Sequence, residues 1–292
     1  MEIVIAKNSG LCYGVKRALT IARRTRRARR GSVTTLGDLV HNPRIGDDLR
    51  AEGIGSAASP AAIESGTVII RSHGVPPDVE RELRARKVRV VDATCPTVKR
   101  IQRLVARLAR TRSEIVIVGN PAHPEIRGLI GYSRGRALIV ESAAQARALP
   151  ARKRREVLAQ STQDEGLFGD VVASLCERTA ELRVYNTICR STQIRQRTTS
   201  ELAAQVDALF IIGGRTSSNT RKLYEISRRI LPSTYFVENA REIDPALLRR
   251  ARRVGISGGA STPPEAIREA VAKIQTRSTE SDRRETKRPC PM

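Results

Sequence analysis

One short arrangement occurs three times in this chain of 292 residues, and it constrains the fold more than any other feature. A strand-like apolar run leads to a cysteine, and a helix-like run follows. The runs are Ile3-Val4-Ile5-Ala6 before Cys12, Val88-Arg89-Val90-Val91 before Cys95, and Leu182-Arg183-Val184-Tyr185 before Cys189. Successive cysteines stand 83 and 94 residues apart, about a third of the chain. Val15-Lys16-Arg17 after Cys12 matches Val98-Lys99-Arg100 after Cys95, whereas Cys189 keeps only the helical continuation. A recurrence at this spacing marks a repeated supersecondary unit.

The repeat extends downstream. A second strand candidate follows each helix, at 32–36, 115–118 and 208–212. It ends in a polar loop: His41-Asn42-Pro43, His123-Pro124-Glu125 and Ser217-Ser218-Asn219. A further strand then ends in another. Val68-Ile69-Ile70 leads to Ser72-His73-Gly74, Val157-Leu158-Ala159 to Ser161-Thr162, and Val254-Gly255-Ile256 to the stretch 257–261. Short apolar runs alternating with helical stretches predict βα units and parallel sheets. In such sheets ligands bind at the carboxyl ends of the strands, where all of these loops fall.

Composition narrows the class. Five widely spaced cysteines do not read as a disulfide framework. No apolar run is long enough to span a membrane, and the first ten residues do not read as a secretory signal. A cytoplasmic protein is expected. The net charge is +23, mostly from arginine pairs such as Arg23-Arg24 and the run Arg152-Lys153-Arg154-Arg155. The charge is spread along the chain and aromatics make up 3%, so nucleic acid is not the expected partner. The basic runs read as solvated surface. Phosphorylated substrates and acidic proteins suit such a field. From Thr276 the composition predicts a flexible basic tail.

A thiol in the first turn of a helix is expected to have a lowered pKa. Three thiolates could hold an iron–sulfur cluster one ligand short of the usual four, leaving one iron open as a Lewis acid. Cys176 reads instead as a helix-core residue, and Cys290 as exposed and incidental. The chain's three histidines, His41, His73 and His123, stand at strand-end loops. With Ser217, Ser218, Asn219 and Ser261 they form a donor set suited to a diphosphate. Gly213-Gly214 and Gly258-Gly259 would let backbone approach the phosphates. Glu125 is the one carboxylate within this set, placed to donate a proton. The same residues also allow a zinc- or thiol-dependent hydrolase, and the charge a basic nucleic-acid binder.

Taken in order, several stretches closely resemble the LytB family of 4-hydroxy-3-methylbut-2-enyl diphosphate reductases. They are the segment 10–18 around Cys12, Val40-His41-Asn42-Pro43, Ser72-His73-Gly74-Val75, Asp92-Ala93-Thr94-Cys95-Pro96, Ala122-His123-Pro124-Glu125, Ser217-Ser218-Asn219 and Gly259-Ala260-Ser261. The resemblance implies an α/β fold of three similar domains with parallel sheets, a pseudo-threefold trefoil around a central cluster. The domains would be 13–95, 96–190 and 191–275, the last including strand 1–12, with 276–292 as the tail. It implies one 4Fe–4S cluster on Cys12, Cys95 and Cys189. It implies substrate contacts from His41, His73, His123, Ser161, Ser217, Ser218, Asn219 and Ser261, with Glu125 relaying protons. The substrate would be a small allylic diphosphate, the electron donor ferredoxin or flavodoxin, and the products isopentenyl and dimethylallyl diphosphates. The chain departs from the family in having Gln160-Ser161-Thr162 where Gln-Thr-Thr is usual, and in its arginine excess.

Overall fold

The structure, a computed structural model, describes residues 1–249 and 251–285, with side chains through residue 276. The chain opens with β1 (Glu2–Ile5) and then makes three laps of alternating strands and helices. The first runs α1 (Tyr13–Ala28), β2 (Val33–Leu36), α2 (Pro43–Ala51), β3 (Ile54–Ala57), β4 (Thr67–Ile70), α3 (Pro77–Ala85) and β5 (Arg89–Asp92). The second runs α4 (Pro96–Leu108), β6 (Glu114–Val118), α5 (Pro124–Tyr132), β7 (Ala137–Val140), α6 (Ala143–Ala148), β8 (Arg152–Ala159), α7 (Glu165–Cys176) and β9 (Thr179–Tyr185). The third runs α8 (Arg190–Ala203), β10 (Ala208–Ile212), α9 (Ser218–Ile230), β11 (Thr234–Val237), β12 (Arg253–Gly258) and α10 (Pro264–Glu285).

Three four-stranded sheets result, ordered β3-β2-β4-β5, β7-β6-β8-β9 and β11-β10-β12-β1. All their pairings are parallel. The order within each lap is therefore the same, except that the third sheet takes its fourth strand from the N-terminus, with Glu2 opposite Arg253 and Ile5 opposite Ile256. The chain divides into two compact units, Cys12–Gln193 with the first two sheets, and Met1–Leu11 with Ile194–Met292 holding the third.

Parallel strands covered on both faces read as unbroken apolar runs rather than alternating ones. β4 (TVII) and β10 (ALFII) are buried at every position. The helices cover the sheets with one stripe each. On α1 the buried Val15, Ala18, Leu19 and Ala22 keep helical spacing, as do Val98, Ile101, Val105 and Leu108 on α4. Each fully buried Ile or Leu contributes on the order of 2 kcal/mol by leaving water.

Two expectations change here. Cys176 closes α7 but is exposed rather than packed in a core, because the buried stripe of that helix is Phe168, Val171, Ser174 and Leu175. The basic run 152–155 is not simply solvated: it forms the first half of β8, and the Arg155 side chain is 0% exposed. Its Nε donates to Glu114 Oε2 at 2.7 Å, and its Nη1 to Arg178 O at 3.1 Å and Thr179 Oγ1 at 3.0 Å. Helix α10 continues past Thr276 to Glu285, and the rest of the expected tail, with Cys290, lies outside the described residues.

Candidate active site

In every sheet the first and third strands of the lap are central neighbours, and the connections after them leave toward opposite edges. Parallel α/β sheets bind ligands at this switch point. After the first strand come His41, His123 and Ser217; after the third come Ser72 and His73, Ser161, and Ser261. After the fourth come the three cysteines.

Cys12, in extended backbone, precedes α1, Cys95 precedes α4, and Cys189 immediately precedes α8. An added Cβ on Gly14 would lie 2.6 Å from Cys95 Sγ and 3.9 Å from Cys12 Sγ, so both sulfurs crowd one point that only glycine leaves clear. Burial raises the pKa of the Cys95 thiol, against hydrogen bonds from the amides of Thr97 and Val98, while Cys12 and Cys189 lie near enough to raise it further. This corrects the expectation of a helix-lowered value: desolvation and two neighbouring sulfurs outweigh the helix N-terminus at Cys95. The first turns of α1, α4 and α8 carry no acidic residue. Three soft sulfur donors, Cys12 and Cys95 against one glycine, Cys95 also facing backbone amides, and Cys189 near enough to act on Cys95, fit an iron–sulfur cluster with three protein ligands.

Hydrogen bonds tie these cysteines to the switch-point loops. Cys95 N donates to Ser72 O and Cys189 N to Ser161 O, each at 2.9 Å. The Cys95 loop has a further brace in Asp92, whose Oδ2 accepts from Lys99 Nζ at 2.7 Å and whose Oδ1 accepts from Thr94 N at 2.9 Å. Arg17 Nη1 closes it on Thr94 O at 3.1 Å. The brace has a local signal in the sequence, an Asp two residues before a Thr, the pattern of an Asx turn.

The three imidazoles form one cluster. His41 and His73 have ring centroids 4.4 Å apart, and His123 stands 5.4 Å and 5.3 Å from them, edge to face with His73. Burial lowers all three pKa values, His73 well below the ordinary value and His123 to about 3; the nearby Arg71 charge adds to each. His123 also caps α5, its Nδ1 accepting from Glu125 N at 3.2 Å. That bond assigns the proton of the neutral ring to Nε2, which is left as a donor. His73 Nδ1 is buried without a partner. One nitrogen from each ring lies within 4.8 Å of the others. A zinc ion would need a bare nitrogen from each, about 2.0–2.1 Å from the metal. The tautomer set at His123 instead suits an anionic oxygen.

Glu125, in the first turn of α5, is 1% exposed. Burial raises its pKa, opposed by hydrogen bonds from the Ser161 hydroxyl and amide. Those bonds measure 2.6 Å to Oε2 and 2.7 Å to Oε1. Gln160 holds the loop opposite by accepting from Asn120 N at 3.2 Å. A buried carboxyl with a raised pKa and a hydroxyl at hand is equipped to deliver a proton.

In the other unit, Ser217 caps α9, its Oγ accepting from Thr220 N at 3.3 Å. Ser218 and Asn219 open that helix, and both polar side-chain atoms of the buried Asn219 amide lack a protein partner. Ser261 follows β12, the neighbour of β10. The glycines here serve packing rather than exposed backbone. A Cβ on Gly213 would meet Thr262 Oγ1 at 2.7 Å, and one on Gly258 would meet Ile267 Cδ1 at 2.9 Å.

Comparison with known proteins agrees with this geometry. The sequence profile of the family described as LytB protein matches residues 3–275. A relative from Aquifex aeolicus, named 4-hydroxy-3-methylbut-2-enyl diphosphate reductase, is 41% identical over 278 residues, covering 94% of this chain and 96% of its own. A protein of the same name from Geobacter sulfurreducens is 40% identical over 275 residues, covering 94% and 97%. A solved structure of (E)-4-hydroxy-3-methyl-but-2-enyl diphosphate reductase, described as the terminal enzyme of the non-mevalonate pathway, is 40% identical with a TM-score of 0.69, covering 94% of this chain and 99% of its own. The Plasmodium falciparum structure, named E-1-hydroxy-2-methyl-but-2-enyl-4-diphosphate reductase, shares the fold at 22% identity and a TM-score of 0.87, covering 93% and 87%.

Proposed function

The chain belongs to the LytB family, and we propose that it reduces 4-hydroxy-3-methylbut-2-enyl diphosphate to isopentenyl and dimethylallyl diphosphates, releasing water. Two electrons and two protons enter for each hydroxyl lost. The observation that carries the reading is the joining of two cysteine-led turns to loops bearing an imidazole of the three-histidine cluster and the partner of a buried acid, through the Cys95–Ser72 and Cys189–Ser161 bonds, with the Cys12 and Cys95 sulfurs both against Gly14.

Cys12, Cys95 and Cys189 would hold one 4Fe–4S cluster. Bound there, it would supply an open iron for the substrate hydroxyl and a store for single electrons. His41, His73 and His123 bind the diphosphate, with His123 Nε2–H as one donor. Ser217, Ser218, Asn219 and Ser261 contribute further donors, the unpartnered Asn219 amide foremost. Burial of Glu125 favours its protonated form over the carboxylate. Ser161 fixes both of its oxygens and gives the proton a hydroxyl through which to pass toward the substrate.

The electron donor in this reading is ferredoxin or flavodoxin, an acidic protein drawn to basic surface. Tyr13, Lys16, Arg100 and Arg190, next to the cysteines in sequence, are exposed, and Tyr13 is 72% exposed. No helix among the described residues is long and apolar enough to cross a membrane. The free thiols of the site suit a reducing compartment, and a cytoplasmic location belongs to the same proposal.

Iron and acid-labile sulfide analysis of anaerobic protein, beside Cys95→Ser, tests the reading. We expect about four irons per chain in the wild type and loss of the cluster in the variant. Zinc without sulfide would favour a hydrolase and overturn the proposal. Glu125→Gln should retain the cluster spectrum while turnover falls about 10²- to 10⁴-fold.

A further inference from the structure

The histidine cluster has a charged neighbour outside the family motifs. Arg71 directly follows β4 and precedes Ser72 and His73. Gly37, at φ +69, directly follows β2. A Cβ on Gly37 would lie 2.5 Å from Arg71 Nη1 and 3.3 Å from its guanidinium carbon, so bare backbone lets the group lie against this loop. The two loops are locked together: Ser72 N and Oγ donate to Leu39 O at 3.1 and 2.9 Å. One loop therefore carries Gly37 and His41, the other Arg71 and His73, and the two imidazoles stand 4.4 Å apart between them.

The guanidinium is poorly satisfied by the protein. Arg71 Nε is buried without a hydrogen-bond partner. Arg155, a fully buried arginine of the same unit, has a carboxylate at 2.7 Å. For Arg71 no carboxylate stands at ion-pair distance among the described residues; the exposed Asp38 acts on it only at longer range. A half-buried cation without a counter-ion is costly, and an anionic ligand offsets that cost. The guanidinium fork matches phosphate oxygens in pairs, which an ammonium cannot do.

We infer that Arg71 is a binding residue for the substrate diphosphate, supplying the full positive charge of a pocket whose other donors in this unit are imidazoles. The inference rests on the reductase reading and adds a residue to its phosphate-binding set. It also gives Gly37 a role, since any side chain there would push the guanidinium off the loop.

The test is calorimetric titration of the anaerobically prepared full chain with inorganic diphosphate, together with steady-state kinetics on the allylic substrate. Charge-assisted hydrogen bonds of this kind are worth about tenfold or more in affinity. Arg71→Gln should weaken diphosphate binding by about that factor and raise KM more than it lowers kcat. Arg71→Lys, which keeps the charge but not the fork, should fall between. Arg24→Gln removes an equal charge from an exposed position on α1 and should bind as the wild type does. Unchanged binding in a folded Arg71→Gln protein overturns the assignment, as does an equal loss in Arg24→Gln, which would make the effect one of net charge. Should Arg71→Gln lose the wild-type circular dichroism, Arg71→Lys decides: weakened binding supports the assignment and unchanged binding overturns it. A wild type that neither binds diphosphate nor reduces the substrate would sink the reductase reading itself.

Discussion

Ser161 holds both oxygens of Glu125, its amide 2.7 Å from Oε1 and its hydroxyl 2.6 Å from Oε2, while its carbonyl accepts the amide of Cys189 at 2.9 Å. One residue thus joins the proposed proton donor to a proposed cluster ligand.

The hydroxyl is the separable part of that link. Ser161→Ala removes one of the bonds that lower the Glu125 pKa, so the basic limb of the pH–rate profile should move to higher pH. Turnover should fall about a hundredfold through loss of the proton path. Ser161→Thr restores the usual family residue and should keep most activity. An unmoved pH profile in Ser161→Ala would remove the hydroxyl from proton delivery.

At Gly14 the demand is for space. An alanine methyl would sit 2.6 Å from Cys95 Sγ, closer than any relaxed contact. Displacing a ligand sulfur should lower cluster affinity about tenfold or more. The readout is iron and sulfide remaining per chain after gel filtration, with circular dichroism to show that the fold persists.

The neutral histidines set the acid tolerance of the ligand-free protein. His123 has an ordinary pKa of 6.5 when unfolded and about 3 when folded. Above pH 6.5 neither state binds the proton, and its contribution is flat. As pH falls from 6.5 toward 3 the unfolded chain gains a proton that the folded chain refuses, so stability drops. His41, His73 and Arg71 face the ring and share in the effect. The urea midpoint should fall between pH 7.5 and 4.5, and less so in His123→Gln. Equal slopes in both proteins would refute the assignment.

Arg155 offers a test of stability alone. Glu114→Ala leaves its guanidinium buried beside three neutral acceptors, Pro150 O, Arg178 O and Thr179 Oγ1, and should cost about 3 kcal/mol of folding free energy by denaturant titration. Cluster absorbance in the folded protein should be unaffected, since Glu114 starts β6 at the end opposite the switch point.

Much of this was legible before any coordinates. The strand and helix order followed from apolar runs and their spacing, because buried parallel strands such as VII at 68–70 leave an unmistakable signature. The common position of Cys12, Cys95 and Cys189, each directly ahead of a helix, was legible because repetition separates them from Cys176. The environment of each group was not. Cys95 stands before a helix, as expected, yet burial, with a smaller push from sulfurs more than 80 residues away in the chain, raises the pKa of its thiol. Arg155 lies in a run of four basic residues, three of which are exposed, and nothing local distinguishes the one that is buried. Arg71 matches no motif; it matters through Gly37 and two histidines brought near by the pairing of β2 with β4.

Strand β1 has its partner at the far end of the chain, with Glu2 against Arg253. The third sheet therefore cannot close before residues 253–258 are made, whereas every strand of the first two sheets lies before residue 186. A nascent chain halted before residue 253 would leave β1 without its partner, its backbone edge open to mispairing.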